Sequence, residues 1–113
     1  MTCEPGDLLP IPFPYADLSA AKKRPVQALT SPDRHGDFVA LAVTSVEQTE
    51  RAIQLGADDF AQGTLPKPSW VRLDKVFTLS ERSLVRRLGK VSSTVMQGAL
   101  AGLCATVGYT RRQ

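Results

Sequence analysis

"DLLPIPFPY", residues 7–15, alternates Leu9, Ile11 and Phe13 with Pro10, Pro12 and Pro14. A period of two is that of a strand and not of a helix. The three prolines share a parity, and alternate N–H groups of a strand point to the same side, so three donors are missing from one edge. That edge is predicted to lack a neighbour, or the strand to bend away from it.

Outward from this segment the chain continues in short strands. Residues 24–30 form a second, and "DFVALAVTS" (37–45) a third whose near-continuous apolar run implies burial on both faces. Between them "SPDRHGD" has the composition of a turn. A weaker strand covers "RAIQL" (51–55), and residues 56–69, with two Gly and two Pro, are expected to cross the surface as a loop. "WVRLDKVFTL" (70–79) alternates with one imperfect face, where Lys75 interrupts Val71, Leu73, Phe77 and Leu79. "SERS" turns the chain, and "LVRRLGKV" (84–91) starts a further strand with a break expected at Gly89.

The period then changes. Met96, Leu100, Leu103 and Val107 fall on one stripe of a helix, with Ser92, Ser93 or Thr94 available as its cap and Thr94 with Gln97 at capping-box spacing. Gly98 and Gly102 cost that helix roughly 1 kcal/mol each unless they allow close packing. Five or six strands followed by one helix predict a mainly β fold, a small β-barrel or half-barrel with the C-terminal helix packed on it, in a single domain spanning 1–113.

Composition narrows the function classes. At 113 residues, 42% hydrophobic and 22% charged, the chain is a folded domain too small for a two-domain enzyme. There is no signal-like N-terminus and no run of about 18 apolar residues, so the expected location is cytoplasmic and no membrane partner is expected. Cys3 and Cys104 form neither a disulfide framework nor a zinc motif. The net charge of +3 hides an asymmetry: residues 1–64 carry five Lys/Arg against nine Asp/Glu, residues 65–113 nine against two. A cationic half of this kind makes a polyanion a plausible partner.

Familiar catalytic sets are missing. His35 stands alone beside Gly36 in a turn, Asp58 and Asp59 are adjacent and so point differently, and there is no Walker motif or GxGxxG. Any chemistry falls to Arg, Lys, Thr and Ser, which suits reactions dominated by charge stabilisation. No metal and no cofactor is expected.

Three collinear segments carry a resemblance. "GDLLPIPFPYADLSAAKKRPVQALTS" (6–31) resembles the opening of the MazF/PemK toxin family, "FVALAVTS" (38–45) resembles its third strand ending in T-S or T-T, and "LPKPSWVRLDKVFTLSERSLVRRLGKVS" (65–92) resembles the PemK-like subgroup. The resemblance implies an SH3-like β-barrel with a C-terminal helix, a homodimer, an acidic antitoxin partner with which DNA is bound, and metal-independent cleavage of single-stranded RNA. It places the catalytic arginine of R-P on Arg24 and the catalytic threonine on Thr44. Lys22, Lys23, Ser45 and Asp17 are the expected substrate contacts.

Each of these residues also has a plain structural reading. Arg24 can pair with Asp17 or Asp37, Thr44 is a good strand former, and Lys22 and Lys23 fit mobile hairpin charges. Arg86 and Arg87 fit a solvated face. Trp70 is either a base-stacking platform or part of the core or a dimer interface. Two other functions stay open at the level of sequence: a non-catalytic toxin like the CcdB gyrase poisons, whose Trp-containing tail the ending "TRRQ" lacks, and an inactive SH3-like binding module.

Overall fold

The computed structural model describes residues 1–13 and 22–109. Seven strands form one antiparallel sheet: β1 (Asp7–Phe13), β2 (Lys22–Ala28), β3 (Asp37–Thr44), β4 (Ala52–Leu55), β5 (Phe60–Gly63), β6 (Ser69–Ser80) and β7 (Gly89–Val91). One helix, α1 (Ser93–Thr106), follows them. Across the sheet the order is β4-β6-β3-β2-β1-β7-β5, so β4 and β5 are its two edges and the curl remains a half-barrel.

The prolines of β1 act as their parity predicts. β1 pairs with β2 from Leu8↔Gln27 to Phe13↔Lys22, but with β7 only at Asp7↔Lys90 and Leu8↔Gly89. The β7 side of the strand is therefore abandoned just where Pro10 and Pro12 lack donors. Pro14 and Tyr15, at the end of the predicted strand, lie outside the described residues.

Alternation divides the core in two. On one face Leu8, Leu41, Val43, Val71 and Leu73 pack with Val95 and Ala99 of α1. On the other, Leu9, Ile11, Val26, Ala28, Phe38 and Ala40 are closed over by Cys3 and Leu84. Burial, with Asp7 and Glu81 nearby, pushes the Cys3 thiol up to about 11.

Three sequence expectations are corrected. Phe60–Gly63, expected in a loop, is the edge strand β5, which pairs with β7 from Phe60↔Val91 to Gly63↔Gly89. Its four residues have no apolar alternation, so only the tertiary pairing defines it. Residues 84–88 form no strand; the strand begins at Gly89, where a Cβ would sit 2.5 Å from the Gln62 carbonyl oxygen, and one on Gly63 2.6 Å from that of Leu88. Only two glycines let these backbones approach so closely.

The helix is also turned from its predicted stripe. Ser92 caps it, accepting from the Val95 N–H at 3.3 Å, and the buried residues are Val95 and Ala99. Met96 and Leu103 pack against the core, whereas Leu100 and Val107 are exposed. Small residues decide this orientation. Gly102 brings the helix so near β6 that a Cβ there would lie 2.6 Å from Leu73 Cδ1.

The charge at the start of β1 is structural in its contacts. Asp7 is fully buried, its Oδ2 accepting from the Glu4 N–H at 2.9 Å and its Oδ1 facing Arg87 Nε at 3.7 Å. Arg87 thus ties residues 84–88 to β1, and Lys90 adds an exposed pair with Glu4 at 3.1 Å.

Candidate active site

The pairing of β2 with β3 runs from Ala28↔Ala40 to Val26↔Ala42 and stops there. Carried two residues further, the same register sets Arg24 opposite Thr44. The stop has a cause. Leu29 N–H donates to Val39 in this register, so odd positions of this strand direct their N–H groups at β3. Gln27, opposite Leu41, is the next such position, and Pro25 after it has no N–H to give. The strands part, and a cleft of about 350 Å³ opens between them, bordered by Arg24 and Pro25 of β2 and by Ala42 and Thr44 of β3.

Both residues lie on the face of the second core, two residues beyond the paired Val26 and Ala42. Core becomes cleft simply because the apolar pattern ends. Thr44 is half-buried, and its Oγ1 accepts from the Val46 N–H at 3.1 Å. That contact occupies a lone pair of the hydroxyl and leaves its proton to donate.

Strand β6 supplies the third wall, and with it residues that the sequence did not single out. Between Val43↔Val71 and Leu41↔Val76, β3 advances by two residues while β6 advances by five. Within this bulge Arg72 and Lys75 reach the cleft, and Phe77 follows them. The bulge also reverses the faces. Val71 and Leu73 pack toward the helix, but Phe77 stands opposite Ala40 on the cleft side, contrary to the single face expected for the three. Lys75 interrupting the apolar alternation was the available signal.

Arg72 is held in place. Its Nε and Nη2 donate to the two oxygens of Asp74 at 3.2 and 3.1 Å, a forked pair that leaves its remaining N–H groups available. The same hydrogen bond holds the Asp74 carboxyl below its ordinary 3.8. Arg24, Arg72 and Lys75 therefore line the same cleft as Thr44.

The other expected residues fall around it. Lys22 and Lys23, expected in the hairpin loop, belong to β2, paired with Phe13 and Pro12. Alternation sends Lys23 to the face away from Arg24. Ser45 is exposed and borders a separate hollow of about 170 Å³ with Lys67 and Ser69, sharing only Pro25 with the main cleft. Asp17 lies outside the described residues. Asp37, weighed as an ion-pair partner of Arg24, starts β3 at the end opposite Thr44.

His35 sits in the exposed turn expected for it, its N–H donating to Asp33 Oδ1 at 2.8 Å. Backbone donors from Asp37 and His35 hold the Asp33 carboxyl below its usual value. Among the described residues no three of His, Cys, Asp and Glu stand together as metal ligands, and no helix is long and apolar enough to cross a membrane.

A family model, described as PemK-like, MazF-like toxin of type II toxin-antitoxin systems, matches residues 4–107. The chain belongs to this family. A search of curated protein sequences gave no significant match to the toxin. Its fold is shared with solved structures at low identity. A mycobacterial endoribonuclease in complex with its cognate antitoxin is 20% identical, with a TM-score of 0.76 over 97% of this toxin and 99% of the other chain. The MazE–MazF complex of Deinococcus radiodurans is 20% identical with a TM-score of 0.74, covering 97% and 99%. MazF-mt6 of Mycobacterium tuberculosis is 19% identical with a TM-score of 0.70, covering 93% and 99%.

Proposed function

We propose that this toxin is a metal-independent, sequence-specific endoribonuclease acting on single-stranded RNA, with Arg24 and Thr44 at its reacting centre. The observation that carries this reading is that Arg24, Thr44, Arg72 and Lys75 border one open cleft. RNA brings its own nucleophile. The 2′-oxygen forms a bond to phosphorus as the bond to the 5′-oxygen breaks, the proton leaving the former oxygen and one being delivered to the latter. The protein has to position the phosphate and stabilise the added negative charge.

Arginine offers two parallel donors to phosphate oxygens and remains charged at any physiological pH. Its role is electrostatic rather than that of a base. The Thr44 hydroxyl adds a donor from the opposite wall, and Arg72 and Lys75 raise the local potential that draws in the RNA. The products are a 2′,3′-cyclic phosphate and a 5′-hydroxyl.

The reading extends to partners. An acidic antitoxin segment would neutralise this cluster of cations, as suits a toxin whose structural relatives include complexes with antitoxins. The working form is a homodimer in the cytoplasm. The test incubates the purified protein with a long RNA in EDTA and maps the ends. Cleavage at a recurrent sequence, leaving cyclic phosphate and 5′-hydroxyl termini, is expected; intact RNA or 5′-phosphate ends would sink the reading.

A further inference from the structure

The register that sets Arg24 opposite Thr44 continues across the sheet. Thr44 is opposite Trp70 of β6, and Trp70 is opposite Gln54 of β4. Residues directly opposed in antiparallel strands project from the same face. One row therefore crosses three strands in the order Thr44, Trp70, Gln54, with Arg24 of β2 facing it across the cleft. Burial agrees: Ser69, Val71 and Leu73 on either side of Trp70 are buried toward the helix, while Trp70 is half-buried and Gln54 exposed.

We propose that Trp70 is the stacking platform for the base of a nucleotide next to the scissile phosphate, and that Gln54 contacts the edge of that base. This rests on the endoribonuclease reading and assigns it a specificity site. Neighbouring strands are about 4.8 Å apart, so the indole starts about one strand spacing from the Thr44 hydroxyl and Gln54 about two. A phosphate held between Arg24 and Thr44 keeps its own nucleotide within that reach. An indole face stacks on any base, whereas the Gln54 amide, with both a donor and an acceptor, can distinguish base edges. Arg72 follows Trp70 by two residues on the same face, opposite Ala52. A cationic border around an aromatic ring suits RNA better than a second protein surface, which would have to bury those charges.

Trp70 is the sole tryptophan of the chain, so intrinsic fluorescence reports this position alone. The full-length protein is titrated with a mixed-sequence RNA oligonucleotide whose 2′-hydroxyls are methylated against cleavage, and with the same backbone carrying abasic residues. Saturable quenching by the first and much weaker quenching by the second is expected. Trp70→Ala should weaken binding about 10- to 100-fold, with Trp70→Phe recovering most of it. Gln54→Ala should change the base preference of cleavage at one position adjoining the cut bond.

Equal fluorescence responses to the two oligonucleotides would overturn the proposal. So would an unchanged cleavage profile in Gln54→Ala, or dissociation of Trp70→Ala to a monomer, which would make the ring part of an interface between copies. A wild-type protein that cuts no RNA counts against the catalytic reading alone, because the titration does not depend on cleavage.

Discussion

The two faces of the sheet are made by the same strands and from alternate residues, yet they end differently. The helix-covered face runs from Leu8 in β1 to Val71 in β6, apolar except for the buried Gln27 of β2, and is sealed by Val95 and Ala99. The opposite face is apolar through Val26, Ala28, Phe38, Ala40 and Ala42, and two residues beyond Val26 and Ala42 it presents Arg24 and Thr44. A strand with period two can thus serve a core on one side and a site on the other. Substitutions on the two faces should separate stability from activity.

The largest expected separation is Arg24→Ala. Loss of a charged donor at the phosphate should lower RNA cleavage about 10³-fold, near 4 kcal/mol of transition-state stabilisation. The melting temperature should hold, since the side chain is exposed. A matching fall in both would tie Arg24 to the core instead. Leu41→Ala breaks the other face: at 0% exposure it should cost about 2–5 kcal/mol of stability in denaturant unfolding. Cleavage per folded molecule should be unchanged.

The helix-covered face permits a finer test at its two glycines. A Cβ on Gly98 meets only Ile53 Cδ1 at 3.6 Å, so Gly98→Ala should gain roughly 0.5–1 kcal/mol from helix propensity. Gly102→Ala has the same gain but must displace Leu73, and should come out about 1 kcal/mol less stable than wild type. Equal effects would mean that the helix does not press on β6. The smallest effect concerns Cys3 in the second core. Its thiol is neutral in the fold up to about 11 but ionises near 9 once unfolded, so its contribution to stability should be constant below pH 9 and be lost between 9 and 11, a decline absent in Cys3→Ala. At neutral pH a thiol reagent should modify Cys104 in the native protein, and Cys3 only after unfolding.

Much of this was legible in the sequence, for local reasons. The parity of the prolines in β1 announced a deserted edge, whereas Arg24 and Thr44 were named from the resemblance of their segments to the MazF/PemK family before their strands were paired. What stayed hidden depends on contacts distant in sequence. Arg72 and Lys75 reach the cleft because a bulge reverses the faces of β6. Periodicity assumes that no such reversal occurs. The helix stripe failed for a related reason. Periodicity favours bulky residues such as Leu100 and Val107, while the buried face is made by Val95 and Ala99 and the close approach to β6 by Gly102.

Pro25 has a consequence for the affinity of the cleft. An ordinary residue there would allow one more ladder bond between β2 and β3, and the empty site could zip shut until a ligand forced it open. Proline withholds the donor that such a collapse requires. The separation of Arg24 and Thr44 is therefore settled when the chain folds rather than when substrate arrives, and preorganisation of this kind turns more of each contact into net binding.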